Sequence, residues 1–439
     1  MPESPLVNVE VVVVGAGAAG LLAAARTAEL GRQTLLLEKN DRPGIKILMS
    51  GGTRCNLTHA TDSRGIVREF GPPGRFLHSA LAALSPQELI DLFAAEGVTT
   101  KIEHDTGKIF PASDRAADVL AALLARLHRS GCTLALGEPL LDVERSDGGG
   151  FLLVTPQRQI STERLLITTG GQSYPGSGTT GDGYRWAEKL GHTIVPPRPA
   201  LTPITTDATW VRELQGVTIS DVWLRVVDTE VGESELGPAP TGKKKRRQPA
   251  HLAERRGSLL FAHFGLSGPV ALDVSRVVSG HPRPRSLTLV CDFLPNDSQP
   301  ELEERLGREA SQAGKKQIGG LLTGLLPRRL IDALLTAVGL EPERKAAELG
   351  RDARGRYAAA IKQCTIPVSG TRGFKKAEVT AGGVSLDEVD SRTMQSRLAP
   401  GLYFAGEVLD LDGPIGGYNF QAAFSTAWLA AAAMSSTQS

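Results

Sequence analysis

The sequence predicts an α/β fold in which a parallel sheet is interrupted by a large insertion, and three observations predict it. First, the apolar β-branched run Glu10-Val11-Val12-Val13-Val14 enters Gly15-Ala16-Gly17-Ala18-Ala19-Gly20. A Leu/Ala stretch and a second apolar run, Thr34-Leu35-Leu36-Leu37, follow, closed by Glu38. Second, composition shifts near Pro196-Pro197-Arg198-Pro199, after which short strands and turns give way to helical spacing over 300–360. Third, the strand-and-glycine pattern returns after Lys376 and ends in an apolar helix.

The opening unit reads as strand, glycine turn, helix, strand and acid, the Rossmann-like arrangement that binds dinucleotides. Gly15 permits the tight turn, Gly17 lets the backbone approach a pyrophosphate, and Gly20 lets the helix pack on the sheet. The helix N-terminus offers unpaired N–H groups and partial positive charge to phosphates. Glu38 stands where a carboxylate accepts ribose hydroxyls, with Lys39 beside it. This unit alone does not choose between FAD and NAD.

The remaining elements follow in order. The helix over 18–30 is stopped by Gly31. Residues 39–58 form a long polar loop, of a length that is usually functional or disordered. Ser85-Pro86-Gln87-Glu88 is a capping box with proline at the first helical position, and Gly97 stops that helix. Ser113 is expected to cap a second helix ending near Arg129. Residues 138–168 alternate as a three-stranded meander with turns at 146–150 and 156–157, and its last strand ends in Thr168-Thr169-Gly170-Gly171. The expected organisation is a first part of the nucleotide domain over 1–197, a β-barrel or sandwich over 198–296 and a helical subdomain over 297–362. A return strand over 363–376 and the second part of the nucleotide domain over 377–439 complete it. The last helix is expected over about 421–434.

Composition narrows the classes. At 439 residues and formal net charge +1, the chain has no long-range field for nucleic acid or acidic membranes. Lys243-Lys244-Lys245-Arg246-Arg247 is a local exception, read as a solvated loop between strands. No apolar run is long enough to cross a bilayer, and no basic segment with an apolar core opens the chain. Cys55, Cys132, Cys291 and Cys364 are widely spaced, and no H-E-x-x-H pair occurs, so neither a disulfide framework nor a metal centre is expected. A reduced cytoplasmic protein with no nucleic-acid or membrane partner is the simplest reading.

Three glycine-rich clusters, at 15–20, 168–171 and 401–417, each follow a strand. In open α/β sheets ligands collect at the carboxyl ends of the strands. Three clusters on one edge suit a long ligand, and FAD is long. In this reading Glu407 accepts ribityl hydroxyls, and the final helix aims its first amides, near Gly417 to Asn419, at the flavin pyrimidine oxygen. The loop after Glu38 carries donors, Lys46, Ser50, Arg54 and Asn56, that would stabilise an anionic reduced ring. Gly176-Ser177-Gly178-Thr179-Thr180-Gly181 also spells GxGxxG. It does not follow a strand directly and lacks a ribose acid, so it is not read as a nicotinamide domain. Cys55 has no neighbouring cysteine and reads as a packed residue.

Lys46 to Thr58, Gly170 to Pro175 with Thr180 to Tyr184, Phe264 to Pro269, Thr371 to Val384 and Gly401 to Gln421 together resemble the BaiN-like flavoproteins, NAD(P)/FAD-dependent oxidoreductases that include aminoacetone oxidases. The likeness spans nearly the whole chain. It implies a Rossmann-like FAD-binding domain of the two-dinucleotide-domain type, carrying an inserted β-barrel and a helical subdomain. It places Gly15, Gly17, Gly20, Glu38, Lys46, Ser50, Gly51, Arg54, Cys55, Asn56, Gly406, Glu407, Gly417, Tyr418, Asn419 and Gln421 on motif positions, and Thr169, Gly170 and Gly171 join the cofactor-binding candidates. Ile45 and Thr53 depart from the family pattern. Arg54, as an anion-holding fork, and Tyr418, as a proton donor, are the catalytic candidates. The expected chemistry is hydride exchange between FAD and a small amine or enone. NAD(P)H, transiently docked, or O₂ is the other redox partner. The rival reading is a flavin-binding redox sensor or RNA-associated factor without turnover.

Overall fold

The computed structural model describes residues 5–230 and 251–436, and the basic run at 243–247 lies outside them. The chain divides into two compact units, Met1–Pro199 with Ala377–Ser439, and Ala200–Lys376.

The first unit is built on a mixed sheet. Its parallel strands are β1 (Leu6–Val14), β2 (Thr34–Leu37), β6 (Thr133–Ala135), β9 (Gln159–Ile167) and β19 (Leu402–Phe404). The order is β6-β2-β1-β9. The amino-terminal half of β9 then continues into the antiparallel strands β8 (Phe151–Val154) and β7 (Asp142–Arg145), while its carboxyl half pairs with β19. A small sheet of β3 (Thr58–His59), β4 (Thr100–Glu103) and β5 (Lys108–Pro111) stands beside it, and β10 (Ile194–Ala200) pairs with β18 (Val379–Val384).

Both faces of the parallel sheet are covered, which is why its strands read as unbroken apolar runs. Val11, Val13, Leu36, Leu166 and Tyr403 pack with helices α1 (Ala18–Glu29), α3 (Ala116–Arg129) and α9 (Tyr418–Ser435). The alternate residues Val12, Val14, Leu35, Leu37, Leu165, Ile167, Leu402 and Phe404 pack on the other side, with Phe151 and Leu153 of the meander and Trp186 of α4 (Asp182–Lys189). Period-two alternation thus divides one run between two cores.

Helix α1 ends at the expected place, with Gly31 at φ +87°. Helix α2 (Pro86–Ala95) carries both bonds of its capping box. Two sequence expectations need correction here. Ser113 does not cap α3: Asp114 takes φ +55°, the chain turns once more, and Arg115 is the residue before the helix. Helix α9 begins at Tyr418, one turn earlier than the apolar spacing marked, because the Gly416-Gly417 turn itself starts it. The polar loop after β2 is partly folded, as a short helix over Ile45–Met49 and a tight turn over Ser50–Thr53.

The second unit holds a seven-stranded antiparallel sheet. Its strands are β11 (Ile204–Thr205), β12 (Thr218–Asp228), β13 (His251–Ala262), β14 (Gly265–Ser267), β15 (Leu287–Asp292), β16 (Cys364–Pro367) and β17 (Gly370–Thr371), in the order β16-β15-β12-β13-β14-β11-β17. Residues 201–294 also contain a helix the sequence reading did not expect, α5 (Pro269–Gly280). Its β-branched residues mimic a strand, but Val270, Val274 and Val278 recur every fourth position and are all buried. The helical lobe consists of α6 (Gln299–Gln312), α7 (Arg328–Ala337) and α8 (Arg351–Lys362). Leu302, Leu330, Ile331 and Tyr357 of that lobe share one core with Val222, Leu224, Leu289 and Ile366 of the sheet.

Candidate functional site

The carboxyl edge of the parallel sheet gathers the remote glycine clusters. Val14 is paired with both Leu37 and Ile167, and Ile167 with Phe404. Gly15, Glu38, Thr168 and Ala405, the next residue in each strand, therefore emerge side by side. The ladder carries one step further, with Gly15 N–H donating to Leu37 O (2.8 Å), Thr168 N–H to Val14 O (2.9 Å) and Ala405 N–H to Ile167 O (3.2 Å).

The three glycines of the first turn have different surroundings. Gly15 has φ +103°, and a Cβ there would lie 2.9 Å from Thr168 O. A Cβ on Gly20 would lie 1.8 Å from Gly15 O and 2.6 Å from Thr168 Oγ1, so only glycine lets α1 sit this close. A Cβ on Gly17 would meet none of the described residues within 4 Å. Helix α1 starts there with no side-chain cap and no acid in its first turn. Its amino end is thus a bare donor set beside open space, which suits a phosphate.

Glu38, only 8% exposed, braces this turn. Its carboxylate accepts from Ala16 N–H (2.8 Å), Asn40 N–H (2.9 Å) and Asn40 Nδ2 (2.7 Å). A carboxylate has about four acceptor sites, so capacity remains for a ribose hydroxyl. Lys39 turns aside, donating to Thr180 Oγ1 (2.6 Å) and Asp182 Oδ2 (2.5 Å), while Asn40 Nδ2 also reaches Ser177 O (3.3 Å). The second GxGxxG is therefore tied to the end of β2. Thr169 leaves its hydroxyl buried and without a partner among the described residues, Gly170 sits at φ +70°, and a Cβ on Gly171 would lie 2.3 Å from Thr380 Oγ1.

Lys46 and Glu407 meet although far apart in sequence. Lys46 Nζ lies 2.7 and 2.9 Å from the Glu407 oxygens and 2.7 Å from Ser173 Oγ. Glu407 Oε1 also accepts from Ser173 Oγ (2.9 Å) and Thr380 N–H (3.1 Å). Thr380 Oγ1 accepts from the N–H groups of Gln172 and Ser173. Ser173 and Thr380 were not among the expected site residues, though both lie within segments carrying the family resemblance. Gly406, beside Glu407, has φ +78° and packs on Ala19, whose Cβ would be 3.1 Å from an added one.

The turn before α9 rests on β3. Gly417 has φ +92°, and a Cβ there would lie 2.4 Å from Thr58 O. In the amide orientation that satisfies its partners, Asn56 accepts from Gly417 N–H (3.0 Å) and donates to Thr58 O (2.9 Å) and Ile109 O (3.1 Å). His59 stacks on Tyr418, with ring centroids 4.7 Å apart, and its Nδ1 is 3.1 Å from Gly416 O. Sequence reasoning missed His59; its place follows only from β3 packing on α9. Asn419 clamps the preceding loop, with Oδ1 accepting from Gly413 N–H (2.8 Å) and Nδ2 donating to Gly413 O (2.9 Å). Gln421 is fully buried and donates to Leu84 O (3.1 Å) and Ser425 Oγ (2.9 Å).

The loop residues serve the loop itself. Ser50 Oγ donates to Ile47 O (2.7 Å), and Gly51 takes φ +54° against Asn56 and Phe110. Arg54 lies over the Phe110 ring (3.9 Å) and pairs with Glu103 (3.3 Å) and Asp114 (3.7 Å). Cys55 is buried at φ +61°, and desolvation pushes its thiol up to about 12, the setting of an inert packed residue.

This edge fits an FAD: a bare helix end beside open space at Gly17, a braced carboxylate at the end of β2, and a buried hydroxyl at Thr169 with no partner among the described residues. The comparisons agree. The family described as HI0933-like protein Rossmann domain matches residues 9–433. The chain is 33% identical, over 96% of its length and 97% of the other's, to a ribosomal RNA dihydrouridine synthase of Escherichia coli. It is 32% identical, over 97% and 98%, to a protein of the same name from Haemophilus influenzae. It is 30% identical, over 95% and 97%, to a 3-dehydro-bile acid delta(4,6)-reductase of Clostridium scindens. The chain belongs to the HI0933-like Rossmann family and is an FAD-dependent oxidoreductase.

Proposed function

We propose that this enzyme saturates a carbon–carbon double bond conjugated to a carbonyl. The observation that carries the reading is the alignment of Gly15, Glu38, Thr168 and Ala405 on one sheet edge, which gives an elongated cofactor a single seat. The activities of the curated relatives supply the bond type. Dihydrouridine formation and 3-dehydro-bile acid delta(4,6) reduction both hydrogenate a double bond in conjugation with a carbonyl. An enone or a uracil ring is thus the substrate class, in preference to an amine.

When bound, FAD supplies two-electron hydride chemistry. The chain's residues would bind and orient it. The first turn of α1 would hold its pyrophosphate and Glu38 a ribose. The Lys46–Glu407–Ser173 group would face the middle of the molecule. Gly417 N–H, held by Asn56, fixes the start of α9 rather than standing free for the ring. Arg54, engaged with Glu103 and Asp114, would position the loop, and Tyr418, stacked on His59, would line the ring end. NADH or NADPH is the proposed reductant, and a cytoplasmic setting belongs to the same reading.

The test is anaerobic. The purified yellow enzyme is reduced with NADH or NADPH, then mixed with small enones, free uridine, protein-free ribosomal RNA, or primary amines. Reoxidation by an enone or uracil ring, with product gaining two hydrogens, is the expected outcome. The RNA and small-molecule arms identify the source of the double bond. Failure of every conjugated acceptor, with amines reducing the oxidised enzyme instead, defeats the reading.

A further inference from the structure

Whatever the substrate, we propose that His192 is a positioning residue of the FAD seat: its neutral ring clasps the segments that lead from Thr380 and to Glu407, and a proton on the ring opens the clasp. His192 lies between α4 and β10, and its side chain is wholly buried. Nε2 lies 2.7 Å from Ser396 Oγ, and Nδ1 lies 3.2 Å from Glu388 Oε2. The ring stands edge-on to Phe404 of β19, with centroids 4.8 Å apart.

Hydrogen-bond capacity fixes the state of the ring. A serine hydroxyl has one hydrogen and two lone pairs. Both lone pairs of Ser396 Oγ are taken, by Leu398 N–H (3.0 Å) and Ala399 N–H (2.8 Å). Its hydrogen therefore goes to His192 Nε2, which must be bare. The hydrogen of the neutral ring sits on Nδ1 and faces Glu388, out of line for a full hydrogen bond. A second ring hydrogen, on Nε2, would meet a hydroxyl with no lone pair left. Ser396 would then have to release a backbone N–H and leave it unpaired in the interior. Burial lowers the ring's affinity for a proton, and the Glu388 charge opposes this without cancelling it. The other charged residues of the surrounding elements, Glu188 and Lys189 of α4, Asp387 and Arg397, are exposed, and β19 brings none.

The clasp is joined to the site. Strand β18 carries Thr380 and runs on to the turn that holds Glu388. Ser396 N–H donates to Leu402 O (2.7 Å) and Phe404 N–H to Met394 O (3.1 Å), so the 394–396 segment borders β19, which leads to Glu407. Arg397 N–H donates to Glu388 O (2.8 Å), and Glu388 Oε2 accepts from Thr193 N–H (2.8 Å). Thr380 N–H and Glu407 are themselves bonded, beside Lys46. With the clasp open, β19 loses its fixed border and Glu407 its fixed place. A released ring takes up its proton near the ordinary value of 6.5, the clasped ring only at lower pH. The balance therefore shifts to the open form as pH falls below 6.5, and FAD is held less tightly there.

The experiment measures FAD affinity of the full chain by flavin fluorescence across pH. Wild-type affinity should fall roughly tenfold between about pH 7.5 and about pH 5.5, the worth of about one buried hydrogen bond. In His192→Gln, whose amide oxygen still accepts from Ser396 Oγ and does not titrate, the ratio of affinities at the two pH values should be near one. Nitrogen NMR of wild-type holoenzyme carrying isotope-labelled histidine should show the His192 ring as the Nδ1–H tautomer at neutral pH, taking up its proton below 6.5. Ser396→Ala removes the hydroxyl that blocks Nε2 and should move this titration up toward 6.5. Wild-type FAD affinity that is flat across the range, an acid limb that persists in His192→Gln, an Nε2–H tautomer, or a ring protonated at or above 6.5 would each overturn the assignment.

Discussion

Helices α1 and α9 both start from a glycine turn, and both lack a side-chain cap and an acid in the first turn. In sequence they are the same signal. In space they differ. Gly17 faces open space, whereas Gly417 is pressed on Thr58 and gives its N–H to Asn56. The first turn leaves room beside it; the second is filled by a neighbouring strand. A glycine before a helix is therefore ambiguous until the surroundings of its missing Cβ are known.

Substitutions that add only that Cβ break or sharpen the contrast. Gly20→Ala should have the largest effect on stability, about 3 kcal/mol from forcing a methyl into Gly15 O, read as a lower denaturation midpoint. A wild-type midpoint would mean α1 can shift freely on the sheet. Gly417→Ala should cost about 2–3 kcal/mol, combining the left-handed backbone with the Thr58 contact, and should do so in apoprotein as well as holoenzyme. A loss confined to holoenzyme would make this turn a ligand seat after all.

Glu38→Ala should weaken FAD binding by roughly 1.5–3 kcal/mol through loss of a charged acceptor. It should also loosen the turn, because Ala16 N–H loses its partner. Full FAD retention would restrict Glu38 to bracing. Gly17→Ala should be the mildest for the apoprotein, costing at most about 1 kcal/mol as a poorer cap. Its FAD affinity should nonetheless fall about tenfold or more, or about 1.4 kcal/mol, because the methyl occupies phosphate space. Equal FAD affinity in Gly17→Ala and wild type would erase the difference between the two turns.

Much of this was legible from local pattern. The run Val11–Val14, its glycine turn and Glu38 predicted strand, turn and carboxylate, because period and spacing are local properties. The Ser85–Glu88 box was legible for the same reason: all its bonds lie within one turn. Ser113 misled because one residue, Asp114, adopts a left-handed conformation that its sequence does not announce. Helix α5 was hidden by its valines, whose strand preference yielded to packing.

The site divides along the same line. The sequence by itself determined which segments carry donors and glycines, and that three such clusters follow strands. Only the tertiary structure decided their partners: Lys46 with Glu407, Asn56 with Gly417, Arg54 with Glu103, Gln421 with Leu84, and His59 with Tyr418. Local pattern is set by backbone geometry within a few residues. Partnership across hundreds of residues is set by strand register and close packing, which exist only once the chain has folded.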